Sequence, residues 1–210
     1  MPFTIDKEAI RHLSKLDPLM KRLIEESEVP VESTIEDPFL ALVDTVIGQQ
    51  ISEHVKAILM ERLKETAGTI TPQSINELGI KSMHHLGISK MKAETLMRLS
   101  ESEDMLKTIK DKDPKTIRGI LKSIKGIGDW TIDMFFFVCL KDPHVLSLND
   151  MGIKNALKNL YDANDESLVN FKDYYYPYES VAASYLWKSL SMDPSTIDYI
   201  KNGGAKHEHS

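Results

Sequence analysis

Apolar residues recur along this chain at intervals of three and four positions, which is the spacing of one face of an α-helix. The most regular stripe consists of Ile117, Ile120, Leu121 and Ile124, at i, i+3, i+4 and i+7. Similar stripes occur in four further segments: residues 5–28, 39–67, 153–160 and 181–190. The pattern therefore predicts helices over these segments.

Proline, glycine and short polar residues mark where the predicted helices begin and end. Thr71 is predicted to cap a helix that has Pro72 in its first turn, and Asp113-Pro114 begins the helix that leads to residue 124. Gly48-Gln49-Gln50 interrupts the stripe in residues 39–67, which indicates a bend or a break between two helices. Loops are predicted at residues 29–39 and 162–166.

Two glycines flank Ile127 in the segment Lys125-Gly126-Ile127-Gly128. Glycines this close together allow positive φ angles and let a ligand approach the bare backbone. The next segment, residues 129–139, is apolar enough to be a buried helix, and its first N–H groups would point back toward the glycines. Such a helix start can bind an anion, for example a DNA phosphate. The alternative is an ordinary corner between two helices with a glycine cap.

One acid, Asp150, stands between a proline-containing loop and the helical pattern that follows it. Aspartate is favoured at helix N-caps, although the neighbouring Asn149 could cap the helix equally well. A fixed carboxylate can also stabilise a positive charge that develops in a transition state. The pattern alone leaves both roles open for Asp150.

The net charge of −6 is unusual for a DNA-binding protein, because a basic surface supplies most of the non-specific affinity for DNA. A local basic patch can still form on an acidic protein. Five lysines lie near the candidate binding segments: Lys90, Lys92, Lys122, Lys125 and Lys154. We therefore expect modest DNA affinity that weakens steeply with salt.

The single cysteine, Cys139, excludes an internal disulfide and any metal site built from four cysteines. It lies in an apolar run and is predicted to be a buried thiol. The first residues lack the long apolar core of a secretion signal, and no apolar stretch approaches the roughly 20 residues that span a bilayer. These features predict a cytoplasmic protein without a membrane partner.

The glycine segment and its surroundings resemble the helix-hairpin-helix DNA glycosylase superfamily. The family hairpin corresponds to residues 124–129, and its key position falls on Trp130. The family's catalytic aspartate lies about twenty residues farther on, where this chain has Asp150 within a similar segment. Three other segments resemble family motifs: residues 46–52 (GQQxS), 86–93 (LGLSxxKA) and 177–180 (an aromatic PWRS segment, with Glu179 in place of the arginine). Tryptophan at the key position is similar to the alkylation-repair branch, 3-methyladenine DNA glycosylase II.

The resemblance implies an all-α fold of two helical lobes with a cleft between them. Helices within residues 1–36 would pack on the C-terminal lobe. Residues 37–190 would form the glycosylase core, with the hairpin at 121–133 and the catalytic segment at 147–154. Residues 191–210 would form a C-terminal tail, in which Asn202-Gly203-Gly204 ends the fold and the last residues to Ser210 are mobile.

The resemblance also implies that Asp150 is the catalytic residue. As the base departs, the deoxyribose becomes oxocarbenium-like, and a carboxylate can stabilise it and orient a water molecule. A lysine at the key position would form a Schiff base and cut the strand, whereas Trp130 cannot, so the enzyme would be monofunctional. A cationic alkylated base can stack on electron-rich rings. The predicted base pocket consists of Trp130, Tyr178, Met134 and Phe135.

The resemblance also implies DNA contacts in three loops. They would come from Lys125, Gly126, Ile127, Gly128 and Thr131 in the hairpin, from Gln49, Gln50, Ile51 and Ser52, and from Ser89 and Lys90. Gln50, with Ile51, would be the wedge that fills the space left by a flipped base, and helix-surface amides are the alternative. A structural Na⁺ or K⁺ ion is implied at the main-chain carbonyls of Lys122, Ile124 and Ile127, without other cofactors and without an iron–sulfur cluster.

The leading hypothesis is a base excision repair glycosylase, a monomer, which hydrolyses the N-glycosidic bond of alkylated purines in double-stranded DNA. A glycosylase of the same fold acting on another base, such as hypoxanthine or mismatched adenine, is a second hypothesis. A helix-hairpin-helix DNA-binding module without catalysis is a third, and an acidic protein-interaction domain is a fourth.

Overall fold

The computed structural model describes residues 3–31 and 34–203, and every regular element in these ranges is helical. The all-α prediction is therefore confirmed. The chain divides into two compact units, one formed by residues 34–140 and the other by the described parts of residues 1–33 and 141–210. Among the described residues, no helix is both long enough and apolar enough to cross a membrane.

The unit of residues 34–140 contains seven α-helices and a short 3₁₀ turn, in the part of the chain that is described. They are α3 (Pro38–Gly48), α4 (Glu53–Ala67), α5 (Pro72–His85), α6 (Lys90–Glu101), α7 (Glu103–Lys107), the 3₁₀ turn (Ile109–Asp111), α8 (Pro114–Ser123) and α9 (Asp129–Val138). Helix α3 is the centre of this unit and packs against α4, α6, α7 and α9. Seven of its eleven residues are buried, so its apolar sequence reflects contact on nearly every side.

The helix starts in this unit follow from short polar side chains and proline. Asp37 accepts a hydrogen bond from the Leu40 N–H group at 2.7 Å, and Asp113 accepts one from the Thr116 N–H group at 3.0 Å. Pro38 and Pro114 occupy the first positions of the two helices, where a missing N–H group is not needed. The predicted break at Gly48-Gln49-Gln50 is confirmed, because α3 ends at Gly48 and α4 begins at Glu53.

The second unit contains the helices from the two ends of the chain. They are α1 (Lys7–Leu16), α2 (Pro18–Glu25), α10 (Met151–Tyr161), α11 (Asn170–Tyr174), α12 (Glu179–Ser189) and α13 (Pro194–Lys201). Asp17, which lies between α1 and α2 and is only 3% exposed, connects them to α10 and to the end of α11. Its Oδ2 atom accepts hydrogen bonds from Tyr161 at 2.7 Å and Tyr175 at 3.0 Å. Burial raises the pKa of both tyrosines, so they remain donors to the carboxylate.

The predicted boundaries differ from the structure in two respects. The hairpin and the catalytic segment, placed together in a core at residues 37–190, fall in different units, because the division lies at residue 140. The prediction of a C-terminal tail is wrong for residues 194–201, which form α13 because Asp193 caps a helix that begins with Pro194 and buries Ile200. The part of the predicted tail from Gly204 to Ser210 lies outside the described residues.

The prediction of a buried thiol is confirmed at Cys139. Its side chain is 5% exposed, and its sulfur lies 3.8 Å from the Glu36 carbonyl oxygen. Burial raises the pKa of this thiol to about 11, so Cys139 is uncharged at neutral pH and unreactive as a nucleophile.

Candidate active site and DNA interface

Asp150 is the N-cap residue of α10, and its carboxylate is held by two donors. The Oδ1 atom accepts the Ile153 N–H group at 2.8 Å and the indole N–H group of Trp187 at 3.0 Å. The two interpretations left open by the sequence are therefore compatible, because the capping bond is one of the bonds that fix the carboxylate. Fixed orientation is what a group needs in order to act on a transition state without reorganising.

Gly152 provides the space in which Asp150 and Trp187 meet. A Cβ atom at Gly152 would lie 2.9 Å from Asp150 Oδ1 and 3.2 Å from carbon atoms of both Trp187 and Leu190. Any larger residue would therefore push against the carboxylate or the indole. Leu190, which a Cβ atom at Gly152 would also contact, has an exposed side chain (45%), as does Met151 (65%), the residue after Asp150.

The start of α12 holds the loop that precedes Asp150. The Ser180 hydroxyl accepts the Val145 N–H group at 3.0 Å and donates to the Asp142 carbonyl at 2.6 Å. Glu179 is 3% exposed, and its Oε2 atom lies 3.0 Å from His144 Nδ1. Glu179, which stands where the family motif has an arginine, is thus a packing partner of this loop. Helix α12 therefore contacts both the loop that precedes Asp150 and Asp150 itself.

Trp187 is a functional candidate that sequence reasoning missed. It was placed on a predicted helix but given no role, because it lies 37 residues from Asp150 and no local spacing rule connects the two. The only signal was its position on the helix that follows the segment 177–180. Tyr178, predicted in the base pocket, lies against α1 instead, with its ring 5.0 Å from that of His12 and a hydrogen bond to Glu8.

The predicted hairpin forms between α8 and α9. Gly126 has φ of +103°, and a Cβ atom there would lie 2.0 Å from the Thr95 hydroxyl oxygen, so only glycine fits. Lys125, Gly126 and Gly128 are exposed. The N-cap of α9 is Gly128, which has no side chain to cap the helix, so a ligand or water can bind the first N–H groups. This is the arrangement that binds phosphate at a helix N-terminus.

Several predicted site residues are buried in the core of their unit. Met134 and Phe135, which were predicted to line a base pocket, are 9% and 0% exposed, on the buried part of α9, so their place in a base pocket stays a prediction. Thr131, predicted to contact DNA, is 1% exposed, and its hydroxyl bonds Gln49 at 2.9 Å. Ile127 is 5% exposed, so only its main chain could approach a ligand. Trp130, in contrast, is partly exposed.

The two glutamines of the GQQxS segment have different environments. The Gln49 side-chain amide donates to Thr131 and to the Gly126 carbonyl at 3.3 Å, so Gln49 connects the turn to the hairpin, and its predicted contact with DNA stays a prediction. Gln50 is exposed and has a positive φ of 57°. Ser52 caps α4 through the Val55 N–H group. Gln50 thus remains the candidate wedge, with the partly exposed Ile51 beside it.

The LGLSxxKA segment contains one exposed lysine and one with a structural partner. Ser89 caps α6 through the Lys92 N–H group, and Lys90 is exposed. The Lys92 ammonium donates to the Ile47 carbonyl at 2.7 Å. Lys90 therefore keeps its predicted role in DNA contact, whereas Lys92 is occupied within the protein.

The implied cation would be held by main-chain oxygens alone. Lys122 belongs to the last turn of α8, where carbonyl groups have no onward helical partner. The Ile124 carbonyl accepts the Ile127 N–H group at 3.0 Å and, like any carbonyl, has a second lone pair. Uncharged oxygen donors of this kind fit Na⁺ or K⁺, so the donor set at Lys122, Ile124 and Ile127 is compatible with the predicted ion.

The chain was compared with known proteins. No family model matches it. DNA-3-methyladenine glycosylase 1 of Schizosaccharomyces pombe is 25% identical over 205 residues, which cover 90% of this chain and 88% of the relative. Among solved structures, the S. pombe 3-methyladenine DNA glycosylase in complex with abasic DNA has a TM-score of 0.80 at 25% identity, covering 89% of this chain and 98% of that one.

A bacterial structure gives the same result. The DNA-3-methyladenine glycosidase from Bacillus halodurans has a TM-score of 0.70 at 26% identity and covers 91% of this chain and 93% of that one. The motifs, the all-helical fold and these similarities agree with one another. The chain is therefore a homologue of the DNA-3-methyladenine glycosylases and has the helix-hairpin-helix DNA glycosylase fold.

Proposed function

We propose that this protein is a monofunctional DNA glycosylase that hydrolyses the N-glycosidic bond of alkylated purines in duplex DNA and leaves an abasic site. The observation that carries the proposal is the Asp150 carboxylate, fixed by the Ile153 N–H group and the Trp187 indole. Similarity to glycosylases named for 3-methyladenine, over 90% of this chain in one case, supports it independently.

Asp150 supplies charge stabilisation in the reaction. As the bond between C1′ and the base lengthens, positive charge develops on the deoxyribose ring, and an ionised carboxylate close to C1′ lowers the energy of that state. The same group orients the attacking water and accepts its proton. The products are the free base and a hydroxyl group at C1′, so the phosphodiester backbone stays intact.

The proposed substrates are bases that carry a positive charge after alkylation, such as 3-methyladenine. Their glycosidic bond is already weak, so protonation of the leaving base by a strong general acid is unnecessary. A partly exposed aromatic side chain such as Trp130 can stack on a cationic base, which is worth on the order of 1–2 kcal/mol when the pair is desolvated.

Residue 130 also determines what the enzyme does after base release. An amine there would attack C1′ and lead to strand cleavage through a Schiff base. An indole nitrogen cannot do so, because its lone pair belongs to the aromatic ring. Lys125 is exposed in the hairpin, where we assign it to the phosphate backbone. The protein is proposed to act as a monomer, and repair would then need a separate nuclease at the abasic site.

The experiment compares wild-type protein with Asp150→Asn on duplex DNA that contains methylated purines, with release of free base as the readout. Asparagine retains an oxygen for the bonds from Ile153 and Trp187, so the fold persists while the charge is lost. We expect the rate to fall at least 100-fold. The exposed Asp173 provides the control Asp173→Asn, which should release base at the wild-type rate.

Three outcomes would count against the proposal. DNA binding without base release by the wild type would identify a binding module. Equal rates of base release by wild type and Asp150→Asn would show that the Asp150 carboxylate does not act in the reaction. Strand cleavage by the protein alone, without alkali or an abasic-site nuclease, would contradict the monofunctional assignment.

A further inference from the structure

One face of α6 contacts two neighbouring parts of the unit of residues 34–140, the end of α3 and the hairpin. Lys92, Thr95 and Arg98 are spaced three residues apart on this helix. Lys92 donates to the Ile47 carbonyl at 2.7 Å, Thr95 packs against Gly126, and Arg98 donates to the Lys125 carbonyl at 3.4 Å. The end of α3 and the hairpin are thus both attached to the same helix.

Lys92 is attached to the end of a helix. Ile47 lies in the last turn of α3, where carbonyl groups have no onward partner within the helix and the helix dipole favours a cation. The side chain is partly buried, and desolvation lowers the pKa of Lys92. Lys90, two residues earlier, is exposed. The two lysines of one motif therefore occupy different environments.

The segment that follows Ile47 is a tight turn. The Ile51 N–H group bonds the Gly48 carbonyl at 3.4 Å, Gln49 has φ −53° and ψ 124°, and Gln50 has φ 57°. The Gln49 angles and the positive φ of Gln50 are those found in a type II turn, in which the residue with positive φ is normally glycine. Glutamine keeps this backbone conformation only when contacts with neighbouring residues stabilise it. Lys92 holds one end, and the Gln49 side chain ties the turn to the hairpin at Gly126 and Thr131.

We propose that Lys92 is a positioning residue and not a phosphate ligand: its ammonium group braces the Gln49-Gln50 turn so that this turn and the hairpin meet DNA as one rigid surface. The inference rests on the proposed function, because it concerns how the exposed Gln50 side chain enters duplex DNA. It assigns the two lysines of the segment separate roles, with Lys90 on DNA and Lys92 within the protein.

The test measures two quantities for Lys92→Met and Lys90→Met. The first is the slope of log binding constant against log salt concentration on duplex DNA, which falls by about 1 for each phosphate contact removed. The second is the single-turnover rate of base release at saturating protein. For Lys92→Met we expect an unchanged slope and a rate about tenfold lower, because the turn is misplaced. For Lys90→Met we expect the slope to fall by about 1.

Three further variants complete the design. Lys92→Arg keeps a cation that can reach the carbonyl and should recover most of the rate. Gln49→Leu removes the bonds from the turn to the hairpin without touching α6, so it should lower the rate with an unchanged slope and carries the test if Lys92→Met does not fold. Lys81→Met, at an exposed lysine of α5 outside the three loops, should leave both quantities unchanged.

The inference is overturned if Lys92→Met lowers the salt slope as Lys90→Met does, since Lys92 would then contact a phosphate. It is also overturned if Lys92→Met folds and has the wild-type slope and rate. Failure of the proposed function would look different, because the wild-type protein itself would release no base.

Discussion

The indole nitrogen of Trp187 lies 3.0 Å from the Oδ1 atom of Asp150, although the two residues are 37 positions apart. The same oxygen caps α10 through the Ile153 N–H group at 2.8 Å. Two donors from different helices on one carboxylate oxygen leave it little freedom to rotate. The catalytic candidate is therefore oriented by α10 and α12 together, and either helix can be tested separately.

The first prediction concerns the indole donor. In Trp187→Phe, an aromatic ring remains but the N–H group is lost, so the Asp150 carboxylate loses its hydrogen bond from α12 and keeps the one from the Ile153 N–H group. We expect the single-turnover rate of base release to fall about tenfold, equivalent to ~1.4 kcal/mol in the barrier. Duplex DNA affinity should change less than twofold.

Tyr185→Phe is the matched control for the indole prediction. It removes a polar group from a buried aromatic residue of the same helix and should not slow base release. A Trp187→Phe enzyme as fast as wild type would show that the indole bond has no role in positioning Asp150.

The second prediction concerns the space between Asp150 and Trp187. In Gly152→Ala, a methyl group would stand 2.9 Å from the carboxylate oxygen and 3.2 Å from the indole. Overpacking of this kind costs about 1–3 kcal/mol and should displace the carboxylate. We expect base release to slow at least tenfold and the melting temperature to fall.

Gly119→Ala is the control, because nothing lies within 4 Å of a Cβ atom at this other helical glycine. Alanine is favoured over glycine in a helix by about 1 kcal/mol, so Gly119→Ala should raise the melting temperature and keep the wild-type rate. A Gly152→Ala protein with full activity would contradict the described packing around Asp150.

How much of this site the sequence could predict depends on whether a feature is local. The hairpin glycines follow from neighbouring residues and were predicted, and the capping position of Asp150 was one of the two roles that the local pattern left open. The sequence could not show that Phe135 faces the core, because α9 is apolar on several faces and only its packing distinguishes them. The same holds for Trp187, whose role depends on a bond between two helices.

The third prediction concerns the positive φ of Gln50. Gln50→Gly relieves a left-handed conformation that costs about 1–2 kcal/mol in an L-residue, but it adds about 0.4–1 kcal/mol of chain entropy to the unfolded state. The two effects partly offset, so the free energy of unfolding should change by less than about 2 kcal/mol. Base release from duplex DNA should nevertheless fall at least tenfold, because the candidate wedge is removed.

Asp162→Gly is the control for Gln50, since Asp162 has a similar φ of 51° at the end of α10. It should keep the wild-type rate of base release. Denaturant unfolding gives the stabilities, and base release from duplex DNA gives the activities. A Gln50→Gly enzyme with full activity on duplex DNA would show that the Gln50 side chain is not the wedge.

The last prediction concerns a negative charge at the proposed phosphate site. Asp129 is the first residue of α9, its side chain is 63% exposed, and it pairs with the Lys122 ammonium. An acid beside a phosphate site repels DNA and occupies a lysine that could contact the backbone. In Asp129→Asn, the repulsion disappears and Lys122 is released. Duplex DNA should therefore bind several-fold more tightly at low salt, with the salt slope steeper by up to about 1.

A second ion pair joins the same two helices, Arg118 to Asp133 at 2.9 Å, so Asp133→Asn is the matched control and should leave the slope unchanged. If Asp129→Asn bound DNA no more tightly than wild type, the start of α9 would not be the point at which this protein holds a phosphate.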